Sequence, residues 1–190
     1  MNLYKEGINM KKALLIIDVQ NDYFEGGRSA LFNPMNALAN VEKVLSVFRE
    51  KQLKIIFVQH INVREGATFF LPNTEGALIH KNIQPLNNEY IVVKHYPNSF
   101  YKTNLAEILE KEEINELVIC GMMSHMCIDT TTRACKDFGI KVTLLSDACA
   151  TKDLIFNEKT IPADTVHNVF MASLNGMFAN VIETKKLVLD

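Results

Sequence analysis

Short, mostly apolar runs rich in β-branched residues recur along this chain, and the stretches between them carry helical periodicity. That alternation restricts the fold more than any other feature. The runs are residues 13–19 (ALLIIDV), 54–59 (KIIFVQ), 90–93 (YIVV), 117–119 (LVI) and 141–145 (KVTLL). Runs of this length with little polar alternation predict parallel strands buried on both faces. Between the first two, Leu38, Val41, Val44, Leu45 and Phe48 follow at helical spacing, which predicts a helix over 34–51 with Asn33 as cap and Pro34 in its first position. Thr103 or Asn104 caps a helix with Leu105, Ile108 and Leu109 that ends near Ile114. After a loop with Pro162, residues 163–179 form a helix with Val166, Phe170, Met171, Leu174, Met177 and Phe178 inward, and residues 180–183 form a sixth, edge-adjacent strand. The pattern predicts an α/β fold, a three-layer α/β/α domain on a mainly parallel six-stranded sheet, spanning residues 1–190 as one domain. Residues 1–10 are weakly patterned and read as a loosely held arm, with Met10 a second possible start.

Composition narrows the partners. A net charge of −2 without blocks of like charge gives no basis for nucleic acid or an anionic membrane, so a small-molecule substrate is expected. Lys11 and Lys12 precede the first apolar run, but that run stops at Asp18, too short for a secretory signal or a membrane span. Cys120, Cys127, Cys135 and Cys149 contain no C-x-x-C pair, and a domain of 190 residues needs no staples, which predicts a reducing, cytoplasmic setting.

The chemistry concentrates in residues 117–134 (LVICGMMSHMCIDTTTRA), which read as strand, tight turn at Gly121 and helix through Asp137, with Cys127 at or near the helix start. Unpaired N–H groups and partial positive charge there favour a thiolate. The ordinary alternative is a small buried hydrophobe. Asp18 ends the first strand and Lys94 ends the third, where open α/β sheets place ligands. Each also has a plain alternative, a loop start for Asp18 and a solvated surface group for Lys94. An acid, an ammonium and a thiol gathered on one sheet edge form a nucleophilic set. Residues 60–89 lose periodicity and are punctuated by Gly66, Pro72, Gly76 and Pro85, a candidate lid in which Phe69 and Phe70 are wall residues or core plugs.

Four segments in order, LLIIDVQNDYF (14–24), VVK-x-x-x-x-SF with Lys94, Ser99 and Phe100, GMMSHMCIDTTTRA (121–134) and LLSDACAT (144–151), make the chain resemble the isochorismatase-like cysteine hydrolase superfamily. That superfamily includes nicotinamidases, N-carbamoylsarcosine amidases and streptothricin-type hydrolases. The resemblance implies an Asp18–Lys94–Cys127 catalytic triad, a cis Met122–Met123 peptide, and an oxyanion hole from the backbone N–H groups of Met123 and Cys127. It implies hydrolysis of an amide, lactam or carbamoyl C–N bond through a thioester, and a homo-oligomer, dimer or tetramer. Nicotinamidases of the superfamily hold a zinc-type ion through an Asp-x-His pair after the second strand. Here that place reads Gln59-His60-Ile61-Asn62, and His60, His80, His95, His125 and His167 show no i, i+4 spacing, so no metal and no other cofactor is expected.

Nearness to the triad in sequence marks Gln20, Phe24, Phe100, His125 and Met126 as substrate-binding residues, with His125 either bonding substrate or capping the helix. The apolar members suggest a small substrate with an apolar portion. His60, His80 and His95 either line the pocket or serve as loop hydrogen-bonders. Two rival functions stand: an isochorismatase-type vinyl ether hydrolase, which has no use for a cysteine nucleophile, and a non-catalytic binding protein that retains the fold.

Overall fold

A computed structural model describes residues 11–189, and the expected arm at residues 1–10 lies outside them. The elements follow the order β1 (Lys12–Ile17), α1 (Pro34–Glu50), β2 (Lys54–His60), β3 (Tyr90–Lys94), α2 (Leu105–Lys111), β4 (Glu116–Met122), α3 (Asp129–Asp137), β5 (Lys141–Ala150), β6 (Leu154–Phe156), β7 (Lys159–Ile161), α4 (Ala163–Leu174) and β8 (Asn180–Ile182). Six strands form one sheet in the order β3-β2-β1-β4-β5-β8, every neighbour parallel.

The unbroken apolar run of β1 follows from its two buried faces. Leu14 and Ile16 pack with Leu38, Val41, Val44, Leu45 and Phe48 of α1. Ala13, Leu15 and Ile17 pack on the opposite layer with Leu105, Ile108 and Leu109 of α2, Ala134 and Cys135 of α3, and Met171 and Leu174 of α4. Central strands β1 and β4 approach closely at Gly121, where a Cβ would lie 2.0 Å from the Ile17 carbonyl oxygen and φ is +124°. Only glycine fits there.

The irregular segment after β2 completes the α1 layer. Phe70, Ile79 and Ile83 join that core, and Phe70 is fully buried, a core plug. The segment is bound to residues 18–24: Phe70 N–H donates to Asp22 Oδ2 (2.6 Å), Asn21 N–H to Leu78 O (3.0 Å) and His80 N–H to Val19 O (2.9 Å).

Local expectations needed correction in four places. Asn33 occupies the cap position in a left-handed conformation without a side-chain cap bond, so Pro34 alone sets the start of α1. β5 runs ten residues, to Ala150, because its pairing with β4 continues past a register shift between Ile119 and Gly121. The β6–β7 hairpin carried too short a pattern to be read. α4 stops at Leu174 and the chain turns at Gly176, which leaves Met177 62% exposed where it was expected inward. Among the described residues no helix is long and apolar enough to cross a membrane.

Candidate active site

The sheet order places four functional groups on adjacent strands. Ile17 pairs with Val58 on one side and Gly121 on the other, and His60 pairs with Lys94. The ends of β3, β2, β1 and β4 therefore lie side by side and carry, in that order, Lys94, His60, Asp18 and the turn leading to Cys127. The site straddles β1 and β4, where the strand order reverses, the usual ligand crevice of open α/β sheets.

Asp18, Lys94 and Cys127 converge. The Lys94 ammonium donates to Asp18 Oδ2 (2.7 Å), Cys127 Sγ (3.0 Å) and Tyr96 O (3.2 Å), and lies 3.1 Å from His60 Nδ1. Asp18 and Lys94 are fully buried and Cys127 is 4% exposed. Asp18 leaves the strand with φ +52°, and its Oδ1 is buried without a hydrogen-bond partner among the described residues. Burial acts to lower the pKa of Lys94, but the Asp18 charge and the contact with Cys127 outweigh it and hold the ammonium charged.

Cys127 sits in a π-helical turn, Ser124–Ile128, that precedes α3, and the Met122–Met123 peptide just before it is cis. The field that favours a thiolate is opposed here. Burial first, then the Asp18 charge, push the Cys127 pKa well up, and the Lys94 charge offsets this only in part. In this dry site, desolvation outweighs the helix-start field.

His60 is the member of the cluster that sequence reasoning left open between pocket and loop. Its side chain keeps 13% exposure, and burial above all lowers its pKa to about 4, with Asp18 opposing and Lys94 adding to the shift. Its position at the end of β2, between the ends of β1 and β3, was the available signal. Tyr23 was also missed; it is buried against Phe69 and Phe70, and desolvation above all raises its pKa, with the nearby Asp18 and Asp22 adding to the shift.

Among the described residues, Asp18, His60 and Cys127 form the group whose ligand atoms lie close enough, within 4.8 Å, to hold a metal ion. The Lys94 ammonium already stands within hydrogen-bonding distance of all three. This donor set is matched to that internal cation and does not fit a metal as well.

The expected substrate-binding residues separate. Gln20 is fully buried; its amide donates to His60 O (2.8 Å) and Ala77 O (2.7 Å) and accepts from His60 N–H (2.7 Å), so it is a strut between β1 and β2 and has no hydrogen left for a ligand. Phe100 is 8% exposed and stacks on Phe138, the residue after α3, at 4.3 Å between ring centres. Phe24 is 5% exposed with its ring 4.4 Å from that of His80. His125 does not cap the helix: its Nδ1 lies 2.5 Å from Thr151 Oγ1 and ties the nucleophile turn to the residue after β5. Met126 is 40% exposed beside the nucleophile. Ser99 bonds Thr131 of α3 (2.9 Å), so the SF pair anchors the loop after β3.

This constellation on this fold has known relatives. The Isochorismatase domain family matches residues 12–186, nearly the whole chain. The chain belongs to the isochorismatase family. The uncharacterized isochorismatase family protein YddQ of Bacillus subtilis (strain 168) is 49% identical over 176 residues, 93% of this chain and 98% of that protein. A solved structure from Oleispira antarctica, assigned as an isochorismatase hydrolase, superposes with TM-score 0.90 at 41% identity, covering 95% of this isochorismatase-family chain and 97% of that one. A streptothricin hydrolase of Streptomyces noursei is 30% identical over 145 residues, 75% of this chain and 51% of that protein.

Proposed function

We propose that this isochorismatase-family hydrolase cleaves an amide, lactam or carbamoyl C–N bond of a small molecule through a cysteine thioester, with Asp18, Lys94 and Cys127 as the catalytic residues. The observation that carries the reading is the buried Lys94 ammonium bonded at once to Asp18 and Cys127. The kinship with streptothricin hydrolase supports it. The vinyl ether alternative leaves a buried acid–ammonium–thiol set without a role.

In the proposed cycle the unpartnered Asp18 Oδ1 takes the Cys127 proton as sulfur attacks the carbonyl carbon, and the Lys94 ammonium stabilises the sulfur charge during transfer. The backbone N–H groups of Met123 and Cys127 donate to the developing oxyanion. Collapse breaks the C–N bond, and the departing nitrogen takes the proton back from Asp18. Water, deprotonated by Asp18, then attacks the thioester; the acid leaves and sulfur regains its proton. Of the sequence-marked pocket residues, Phe24, His125 and Met126 stay assigned to substrate contact. Four free, buried cysteines suit a reducing compartment such as the cytoplasm. Exposed Ile155, Phe156 and Val169 suit the contact of a homo-oligomer.

The test is ammonia release over a panel of small amides, lactams and carbamoyl compounds, with intact-mass trapping of the acyl-enzyme. Cys127→Ala is expected to abolish both the adduct and at least ~10³-fold of the rate. Full turnover by Cys127→Ala would end the covalent reading.

A further inference from the structure

Two polar groups beside the triad have no assigned work, and His60 is the first. The Lys94 ammonium carries only donors, so His60 Nδ1, 3.1 Å away, faces it with its lone pair, sharing the hydrogen of the longer Tyr96 contact, and the ring proton then sits on Nε2. Burial keeps this imidazole neutral. Nε2 makes no hydrogen bond among the described residues, yet it is not among their buried orphan atoms, and the side chain keeps 13% exposure while Asp18 and Lys94 keep none. The Nε2–H donor therefore meets the solvent opening of the site. A His60 ring nitrogen, an Asp18 oxygen and Cys127 Sγ lie within 4.8 Å of one another, so the imidazole that carries this donor borders the place where an acyl group on sulfur would be.

The second group is the Tyr23 hydroxyl, which likewise lacks a hydrogen-bond partner without being a buried orphan. The Tyr23 ring lies 4.5 Å from Phe70, and the His60 ring lies 6.0 Å from that same ring, so both residues flank one apolar wall.

We propose that His60 Nε2–H, with the Tyr23 hydroxyl, forms a subsite that binds a neutral oxygen acceptor on the acyl side of the substrate, one or two bonds from the scissile carbonyl. This deepens the hydrolase reading and rests on it. It names the substrate class as small amides bearing an ether, hydroxyl or second carbonyl oxygen near the reacting carbon. A donor of this kind pairs with such an oxygen and gains nothing from a purely alkyl chain.

Methoxyacetamide and butyramide test it, since they differ by one oxygen in place of a methylene. Intrinsic reactivity differs between them, so the quantity read is the ratio of their kcat/KM values in each variant relative to the wild-type protein. His60→Asn retains an acceptor for Lys94 at the Nδ1 position but removes the reach of Nε2, whereas His60→Gln retains a donor at the Nε2 position. The ratio is expected to fall roughly tenfold in His60→Asn, the worth of one hydrogen bond, and several-fold in Tyr23→Phe, and to survive largely in His60→Gln. An unchanged ratio in His60→Asn overturns the proposal.

A second measurement does not require turnover. In ¹⁵N-histidine-labelled Cys127→Ala protein, the His60 ring is expected as the Nε2–H form between pH 5 and 8, and methoxyacetamide, not butyramide, shifts its Nε2 resonance. A proton on Nδ1, or equal response to both amides, overturns the subsite. Failure of any amide to acylate wild-type Cys127 speaks instead against the hydrolase reading.

Discussion

At the residue scale, Asp18 acts on Cys127 in two opposed ways. Its charge raises the thiol pKa in the free protein, and its open Oδ1 is the acceptor that the attack step needs. Asp18→Asn is therefore expected to speed alkylation of Cys127 by iodoacetamide at pH 7, several-fold or more, while lowering amide turnover by at least ~10²-fold. Lys94→Met removes the charge that partly offsets the rise, so alkylation slows, and it strands a buried carboxylate at a cost of about 3–5 kcal/mol. Peptide mass mapping of the alkylated residue against pH checks both; a thiol that reacts more slowly in Asp18→Asn would refute the account. Asp18, Lys94 and Cys127 were legible as candidates because two stand at strand ends, the third in the turn after a strand, and each matches a motif. The protonation state of Cys127 was not, because burial is a property of the packed site and the segment 117–134 gives only the helix-start signal. His60 was half-legible: its place at the end of β2 matches Asp18 and Lys94, but no motif singled it out. The hydrogen bonds that occupy Gln20 and the ring stack of Phe100 were not legible, because nearness in sequence to a reactive residue does not fix which way a side chain points.

At the element scale, the segment after β2 is held as a wall rather than a free lid. Asp22, nearly fully buried, accepts from Phe70 N–H and Arg28 N–H, and Gly76 packs so closely that a Cβ there would lie 2.2 Å from Asp22 Oδ1. Asp22→Ala leaves two N–H groups without their acceptor and is expected to cost about 3 kcal/mol. Gly76→Ala must push the carboxylate away and is expected to act in the same direction. Urea melts measure the cost, and hydrogen exchange should localise it to residues 62–83; loss spread evenly over the sheet would argue against a local latch. The strands and α1 were legible from apolar runs and a single stripe. The latch was not, because it joins Asp22 to Phe70 and Gly76 across 48 and more residues, and the segment after β2 that carries its far half has no periodicity. The true end of α4 escaped for a related reason: Met177 and Phe178 continue the apolar spacing, but Gly176 with φ +82° takes the chain out of the helix.

At the scale of the whole molecule, buried titratable groups set a window of pH in which the fold is most stable. His60 has a folded pKa near 4, below its unfolded value of about 6.5, so on acidification the unfolded chain takes up a proton that the folded one refuses. Stability from this group is complete above about pH 6.5 and declines as pH falls towards 4, by ~3 kcal/mol over that range. Burial lowers the pKa of His125 and His167 as well, which steepens the same limb. Cys120, Cys127, Cys135 and Cys149 shift the other way, all raised by burial, with Cys135 and Cys149 pushed to about 12. Above about pH 8.5 the unfolded thiols ionise and the folded ones do not, so stability falls again. Urea unfolding is expected to show a plateau between about pH 6.5 and 8.5 with a decline on both sides. In His60→Asn the acid limb should become shallower while the alkaline limb stays as it was, because the four thiols are untouched. An acid limb of unchanged slope in that variant would mean that His60 titrates in the folded protein as freely as in water, and that the site around Lys94 is open to solvent.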